Sequence, residues 1–275
     1  MKSFKVALCQ IVPDNDKARS IDYAIEMITR AANEHAELVA LPEMFYQPYE
    51  LLSILKKIGD EDLILEKLCD CAKKMNIILC TGSMAVRQNG KVYNRAYIIN
   101  TTGNVILTYD KCHLFDVNLP NLRAQESLVF TPGGATPVVE TSLGNLSIAI
   151  CYDIRFPELI RNLTLKGTEL LIVPAVFNSI TGAAHWSVMM RARAIENQIY
   201  IAAVSQGRRE SSYSAYGHSM VVSPWGEILC EASEGGEIIY AQVKAETLDE
   251  IRTRLPLLVH RRPDLYKLLD NELEM

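Results

Sequence analysis

The chain has 275 residues, 49% of them hydrophobic and 22% charged, with a formal net charge of -5. That is ordinary globular usage, and it excludes a disordered chain, a fibre and a coiled coil. The acidic balance and the short basic runs, Arg208-Arg209 and His260-Arg261-Arg262, give no footprint for nucleic acid, and no stretch reaches the ~20 apolar residues of a membrane helix.

A chain of this size buries about three-quarters of its unfolded surface, so a large core forms without disulfide or metal staples. The seven cysteines are odd in number and mostly embedded in apolar runs, which fits a reduced compartment. The start carries no apolar segment with a small-residue cleavage site, so a cytoplasmic location is expected. Cys69 and Cys71 fall two apart in a helical pattern, with no second pair to complete a metal set.

In chain order, 4–10 reads as a buried strand, and 20–35 as a helix with Ser20 as its N-cap and apolar residues at helical spacing. Leu38 to Leu41 is a short buried strand ended by Pro42. A second amphipathic helix covers 60–75, and Ile77 to Leu79 begin another strand. The stretches 91–100 and 104–110 form a hairpin around Gly103-Asn104, and a further hairpin around Gly144-Asn145 delivers a strand ending at Cys151. Pro157 opens a helix to about 166, 170–173 is a strand, and 184–198 is a helix. Strands at 199–205, 218–223, 227–231 and 236–243 precede a last helix at 246–254 and an irregular tail. Buried βα units mixed with hairpins imply mixed sheets covered by helices in a single domain.

Three segments put a reactive side chain just past the end of an apolar strand, where ligand sites form in open α/β sheets. In Leu41-Pro42-Glu43, a carboxylate among apolar neighbours is either a general base or a loop cap. Lys111 ends the strand Thr108-Tyr109-Asp110 and could hold an oxyanion or depress a thiol pKa, or be a surface lysine. Cys112 and His113 are adjacent, so in a strand they point to opposite faces and make no local pair. Cys151 ends a strand before a tight turn into a helix, the architecture of a nucleophile elbow with cysteine in place of serine. The other reading of Cys151 is a core cysteine.

Together these residues form an ordered Glu, Lys, Cys set, and the chain resembles the nitrilase (carbon–nitrogen hydrolase) superfamily. The resemblance is carried by Leu-Pro-Glu at 41–43, Tyr-Asp-Lys-Cys-His-Leu-Phe-Asp at 109–116 and Ile-Cys-Tyr-Asp-Ile-Arg-Phe-Pro-Glu at 150–158. It continues through Tyr93-Asn94-Arg95, Gln125-Glu126-Ser127, 174–178, 181–186, 191–197, 217–219 and 224–226, so it covers nearly the whole chain. Within the superfamily the chain looks most like the omega-amidase branch, whose members hydrolyse the terminal amide of 2-oxoglutaramate and 2-oxosuccinamate.

The resemblance implies an α/β fold, a four-layer αββα sandwich of two mixed sheets, spanning 1–275 as one domain. It also implies a homodimer or higher homo-oligomer, with the tail at about 255–275 at the interface. Glu43 matches the family's general base, Lys111 the lysine that stabilises the tetrahedral intermediate, Cys151 the nucleophile, and Glu126 a second glutamate near the lysine. In the omega-amidase-like members Arg155 matches a residue that binds the substrate carboxylate, Phe177 and Thr181 match pocket positions, and Tyr49 and Phe115 are candidate pocket walls. No cofactor and no metal are implied, and the only partner besides a second copy is a small-molecule amide. Two residues keep other readings: Glu126 as a helix-start glutamate, and Arg155 as a structural ion pair with Asp153 or Glu158. His185 and Trp186 start a helix and read as packing residues, and His218 as a neighbour of the site.

The nearest rival is another amidase of the superfamily, one acting on deaminated glutathione or on an N-carbamoyl amine. Nitrile hydrolysis is disfavoured, because those relatives carry Trp-Glu after the cysteine, where this chain has Tyr152-Asp153. A catalytically silent scaffold would lack one of Glu43, Lys111 and Cys151, and a papain-like protease would need a Cys/His pair in another context. The stretches 119–122 and 207–214 are expected to shape the pocket mouth.

Overall fold

The computed structural model describes residues 1–120, 122–209 and 213–266. The tail expected at an oligomer interface lies outside the described residues from 267 onward, as do residue 121 and residues 210–212 of the two expected mouth loops. The chain opens with β1 (Phe4–Gln10), α1 (Lys17–Asn33) and β2 (Leu38–Ala40), then α2 (Leu51–Lys56) and α3 (Glu61–Met75). Next come β3 (Ile78–Gln88), β4 (Lys91–Ile99), β5 (Val105–Asp110) and a small hairpin of β6 (Asp116–Leu119) and β7 (Leu122–Gln125). β8 (Val138–Thr141), β9 (Gly144–Ile148), α4 (Pro157–Leu165), β10 (Leu170–Ala175) and α5 (Ser179–Asn197) follow. The chain continues through β11 (Tyr200–Ser205), β12 (Met220–Val222), β13 (Ile228–Glu231), β14 (Glu237–Val243) and α6 (Ala245–Arg254).

The strands form two six-stranded sheets of matching design. The first has the order β14-β1-β2-β3-β4-β5 and the second β13-β12-β11-β10-β9-β8. In each, three parallel strands sit in the middle: β1, β2 and β3 in one, β9, β10 and β11 in the other. Antiparallel strands flank them. Parallel strands covered on both faces read as continuous apolar runs, and β1 illustrates it. Phe4, Val6 and Leu8 point into the core shared with Leu146, Ile148 and Ile172 of the second sheet. Ala7 and Cys9 point the other way, against Ala24, Met27 and Ile28 of α1 and Leu68 and Ala72 of α3. On the far side α5 lays Trp186, Met190 and Ala194 on the second sheet, beside Ile160 and Leu163 of α4. The layers are therefore helix, sheet, sheet, helix, the four-layer sandwich expected. The accessible surface of 12,798 Å² is close to the ~12,000 Å² of one compact chain of this length. Among the described residues, no helix is long and apolar enough to cross a membrane.

Several boundaries differ from expectation. α1 starts three residues before Ser20, because Asp16 is the cap and accepts from the Ala18 and Arg19 N–H groups. Ser20 bonds back to Asp14 and Asp16 instead. α5 starts at Ser179 rather than near 184, capped by the Asn178 side chain on Ile180 N at 2.9 Å. The unpromising Thr181 and Gly182 lie in its first turn, and Gly182 is there because a Cβ would sit 2.4 Å from the Tyr216 ring. α2 and the β6–β7 hairpin have no counterpart in the sequence reading.

The first sheet is kinked where it carries the site. The β3–β4 register shifts between Cys80 and Ser83, and Gly82 in that irregularity has φ +67°. Its Cα faces the chain leaving β2 so closely that a Cβ would stand 2.1 Å from the Pro42 carbonyl oxygen. Around it Cys80 O accepts from Leu41 N at 3.0 Å and Pro42 O from Ser83 N at 3.3 Å. Gly82→Ala should therefore destabilise the protein by about 2–4 kcal/mol, through backbone strain and displacement of the Pro42 turn. Denaturant unfolding checks this. Gly134→Ala, where a Cβ meets nothing within 4 Å, is the near-neutral control.

Candidate active site

Each chemically reactive side chain stands where a strand has just ended. Glu43 follows β2 by three residues, in a turn where Met44 takes a left-handed φ of +48°. That turn is held from the second sheet: Gln206 Nε2 lies 3.0, 2.9 and 3.1 Å from the carbonyl oxygens of Glu43, Met44 and Gln47. Lys111 is the residue after β5, its N–H bonded to Asn94 O at 2.9 Å. Cys151 begins the single 3₁₀ turn that runs to Arg155 between β9 and α4, with φ +48°. A non-glycine residue held in that region is strained, and such strain collects at functional sites when the surroundings over-determine it.

Asp153 supplies much of that constraint. Fully buried, its carboxylate accepts from Ile150 N at 3.0 Å, from His113 N at 2.9 Å and from the Tyr109 hydroxyl at 2.7 Å. His113 Nδ1 also lies 2.8 Å from it. One side chain thus ties the Cys151 turn to both sides of Lys111. Among the described residues the ion pair of Arg155 with Asp153 or Glu158, one of the two readings of that arginine, is not made, and Asp153 is spent on these partners.

Lys111 is the hub. Its Nζ lies 2.9 Å from Glu43 Oε1 and 2.8 Å from Glu126 Oε1, with all three side chains at most 1% exposed. Glu43 also accepts from Asn94 Nδ2 at 2.7 Å and from Val176 N at 3.0 Å. Glu126 accepts from Phe115 N at 2.7 Å and from the Tyr49 hydroxyl. The reading of Glu126 as a helix-start glutamate also describes its backbone position, since it opens a short 3₁₀ turn; its carboxylate nonetheless turns inward to Lys111.

The electrostatics follow from two carboxylates around one ammonium in a dry site. Burial works against the charge on Lys111, but Glu43 foremost, with the Cys151 sulfur and Asp153, outweighs it and raises its pKa. Burial, then the negative charge of Glu43, push the Glu126 carboxyl well above the usual carboxylate range. The same two causes, in the same order, push the Cys151 thiol well above an ordinary thiol, against the opposing pull of Lys111 and the Val176 N–H. Lys111 thus acts on the thiol in the expected direction but does not set the balance. Burial and Glu43 both favour the protonated thiol over the thiolate, the form that reacts.

A narrow cavity opens beside the sulfur. Cys151 and Lys111 form one wall, with Tyr49, Phe115, Arg155, Phe177 and Thr181 around the rest. The structure thus gathers every candidate binding residue named from sequence at one cavity, while Glu43 and Glu126 stand behind Lys111. The Arg155 guanidinium carbon is 5.1 Å from the Phe177 ring centre and 5.9 Å from that of Tyr152. Among the described residues it makes no ion pair with a carboxylate; its Nη1 meets only His185 Nδ1 at 3.2 Å and Met189 Sδ at 3.7 Å. Sequence reading missed Gln206, Asp153 in its true role, the Val176 N–H and His185. The first two carried one usable signal, polar residues inside or beside apolar strand ends, which demand buried partners.

The chain matches the carbon–nitrogen hydrolase family over residues 5–253. It is 41% identical to nitrilase homolog 2 of Dictyostelium discoideum, over 97% of this chain and 83% of the relative. It is 40% identical to omega-amidase NIT2 of Xenopus tropicalis, over 97% and 98% of the two chains. In three dimensions it matches Nit3 of Saccharomyces cerevisiae, described as a member of branch 10 of the nitrilase superfamily, with a TM-score of 0.86 and 37% identity over 95% of this chain and 97% of that one. Sequence, sheet topology and the cavity at the strand ends agree, and the chain belongs to the carbon–nitrogen hydrolase family of the nitrilase superfamily, as a hydrolase of carbon–nitrogen bonds.

Proposed function

We propose that this protein is a thiol amidase that hydrolyses the terminal amide of small carboxylate-bearing amides, such as 2-oxoglutaramate, through a cysteine thioester. The observation that carries the substrate class is Arg155: a guanidinium at the wall of the cavity that holds Cys151, resting on aromatic faces, with no carboxylate partner among the described residues. A planar guanidinium takes a carboxylate bidentately. An amide without that carboxylate leaves the donors unpaired. The relatives named omega-amidase support the same class.

In this reading Glu43 takes the thiol proton as Cys151 Sγ attacks the amide carbon. The Lys111 ammonium faces the developing oxyanion. Glu43 then passes its proton to the departing nitrogen, the C–N bond breaks, and ammonia leaves the acyl-thioester. A water enters, gives a proton to Glu43 and attacks the thioester carbon. Collapse of that intermediate returns the proton to sulfur and frees the acid. One carboxylate serves as base, acid and base again. Asn94 and Val176 N hold its two oxygens, so its orientation is fixed for both half-reactions. Glu126 and Tyr49 keep the lysine aimed from behind.

Ammonia release from 2-oxoglutaramate, 2-oxosuccinamate, deaminated glutathione, N-carbamoylputrescine and propionamide tests the substrate class. Fast release is expected from the two oxo-acid amides, and activity confined to the others would discard it. Arg155→Leu should raise KM for the oxo-acid amides about 100-fold while changing KM for propionamide little; equal effects on both would make Arg155 structural. Cys151→Ala should abolish turnover with the melting temperature retained, as read by ammonia release and thermal unfolding.

The raised thiol has its own consequence. The reactive form is the thiolate, and its fraction at neutral pH falls as the pKa rises. Modification of Cys151 by methyl methanethiosulfonate in the substrate-free protein, read by peptide mass, should be slower at pH 7 than for a free thiol. Its rate should still be climbing above pH ~8.5, the ordinary cysteine pKa. A plateau below that pH would show that Lys111 wins over burial.

A further inference from the structure

α5 presents Thr181, His185, Met189 and Arg193 four residues apart, so they share one ridge of the helix. That ridge grips Arg155 along its length. Arg193, itself paired with Glu196 at 2.9 Å, donates through Nη2 to the Arg155 carbonyl at 3.2 Å and through Nε to the Ile154 carbonyl at 2.9 Å. Met189 Sδ and His185 Nδ1 meet the guanidinium Nη1, and Thr181 continues the cavity wall beyond it. One turn of the same helix carries Trp186, which packs edge-on against Phe177 at 4.8 Å and donates to His218 O at 2.7 Å. Phe177 is the ring on which Arg155 rests.

Arginine can only donate, so the His185 contact requires Nδ1 to accept, with the ring neutral and its N–H on Nε2. This acceptor is uncharged. It fixes one corner of the guanidinium without cancelling its charge, and leaves the other donors to face the cavity. A carboxylate in that place would compete with the substrate's own. We propose that His185 is a positioning residue that sets the preference for carboxylate-bearing amides, by holding the Arg155 guanidinium at the cavity wall. The inference rests on the proposed role of Arg155 as the receiver of the substrate carboxylate.

His185 is exposed, so substitution there spares the core. The test measures kcat and KM for 2-oxoglutaramate and propionamide with the wild type, Arg155→Leu, His185→Leu and His185→Asn. The asparagine carbonyl falls near the place of Nδ1 and keeps the acceptor; leucine removes it. Loss of the hydrogen bond to a charged donor in His185→Leu should raise KM for 2-oxoglutaramate about tenfold, with kcat within about twofold and a much smaller change for propionamide. His185→Asn should recover most of that loss. The inference is overturned if His185→Leu leaves KM for 2-oxoglutaramate unchanged, if it raises KM for both amides alike, or if His185→Asn fails as badly as leucine. If the wild type does not prefer the carboxylate-bearing amide, or Arg155→Leu keeps the preference, the role of Arg155 falls first and the inference with it.

Discussion

An ammonium buried between two carboxylates is the constraint on which the site depends. Lys111, Glu43 and Glu126 come from three separate segments, and none could be carried into a dry interior without the others. Removing one member of such a set typically costs about 3–5 kcal/mol, because the remaining charge stays buried without its counter-ion. The three also do not balance. With both carboxylates ionised the cluster carries an excess negative charge, and burial with Glu43 beside it drives the Glu126 carboxyl towards its neutral form. In the proposed mechanism the Lys111–Glu43 pair then does the work, with Glu43 taking the proton of the Cys151 thiol. The β6–β7 hairpin makes the arrangement self-closing: it leaves from Phe115 and returns at Glu126, whose carboxylate then bonds the Phe115 N–H.

The backbone is strained at the two ends of this reaction path. Met44 and Cys151 both take a φ of +48°, a conformation that costs of order 1–3 kcal/mol for a residue with a side chain. In each case one buried polar side chain holds the turn, from the second sheet at Met44 and from within the turn itself at Cys151. Gln206 grips the carbonyls after Glu43, and Asp153 grips the N–H before Cys151 while reaching the segment around Lys111. Gln206 comes from the end of β11 in the second sheet and the Glu43 turn from the first, so this contact also couples the two sheets behind the site. Packing of the sheets and placement of Glu43 are therefore one problem with one solution.

What could be read from the sequence follows from how local the cause is. Strands buried on both faces announce themselves as apolar runs, so β1, β2, β9, β10 and β11 were legible; Glu43 and Cys151 beyond β2 and β9, with Lys111 beyond the half-exposed edge strand β5, gave the ordered set that led to the family. The β6–β7 hairpin was not: β7 alternates polar and apolar residues over only Leu122–Gln125, too short to separate from a loop. The caps of α1 and α5 turn on which of several Asp, Asn or Ser residues wins, and Asp16 and Asn178 win by side-chain geometry alone. Gln206 bonds residues about 160 positions away, so its place beside an apolar strand end signals a buried partner without naming it. His185 followed the same logic: it read as a packing residue at a helix start, and only the fold shows that it is exposed and which arginine it faces.

The cavity divides into two electrostatic halves. On the Lys111 side every charge has a partner already built in, so the substrate's amide meets a cluster whose response to new charge is set by proton transfer within it. On the Arg155 side the positive charge is braced by neutral groups, the rings of Phe177 and Tyr152, the His185 nitrogen and the Met189 sulfur. Aromatic faces and a neutral acceptor hold a guanidinium in place while cancelling little of its field. In the proposed reading, a carboxylate entering this half gains what the protein has left unfilled, and the span from Arg155 to Cys151 sets the separation between that carboxylate and the amide carbon. Selectivity then becomes a matter of length as well as charge. An amide whose carboxylate stands at the wrong separation would satisfy Arg155 only by withdrawing its carbonyl from the sulfur, whereas an amide with no carboxylate would reach the sulfur without the anchor that holds it there.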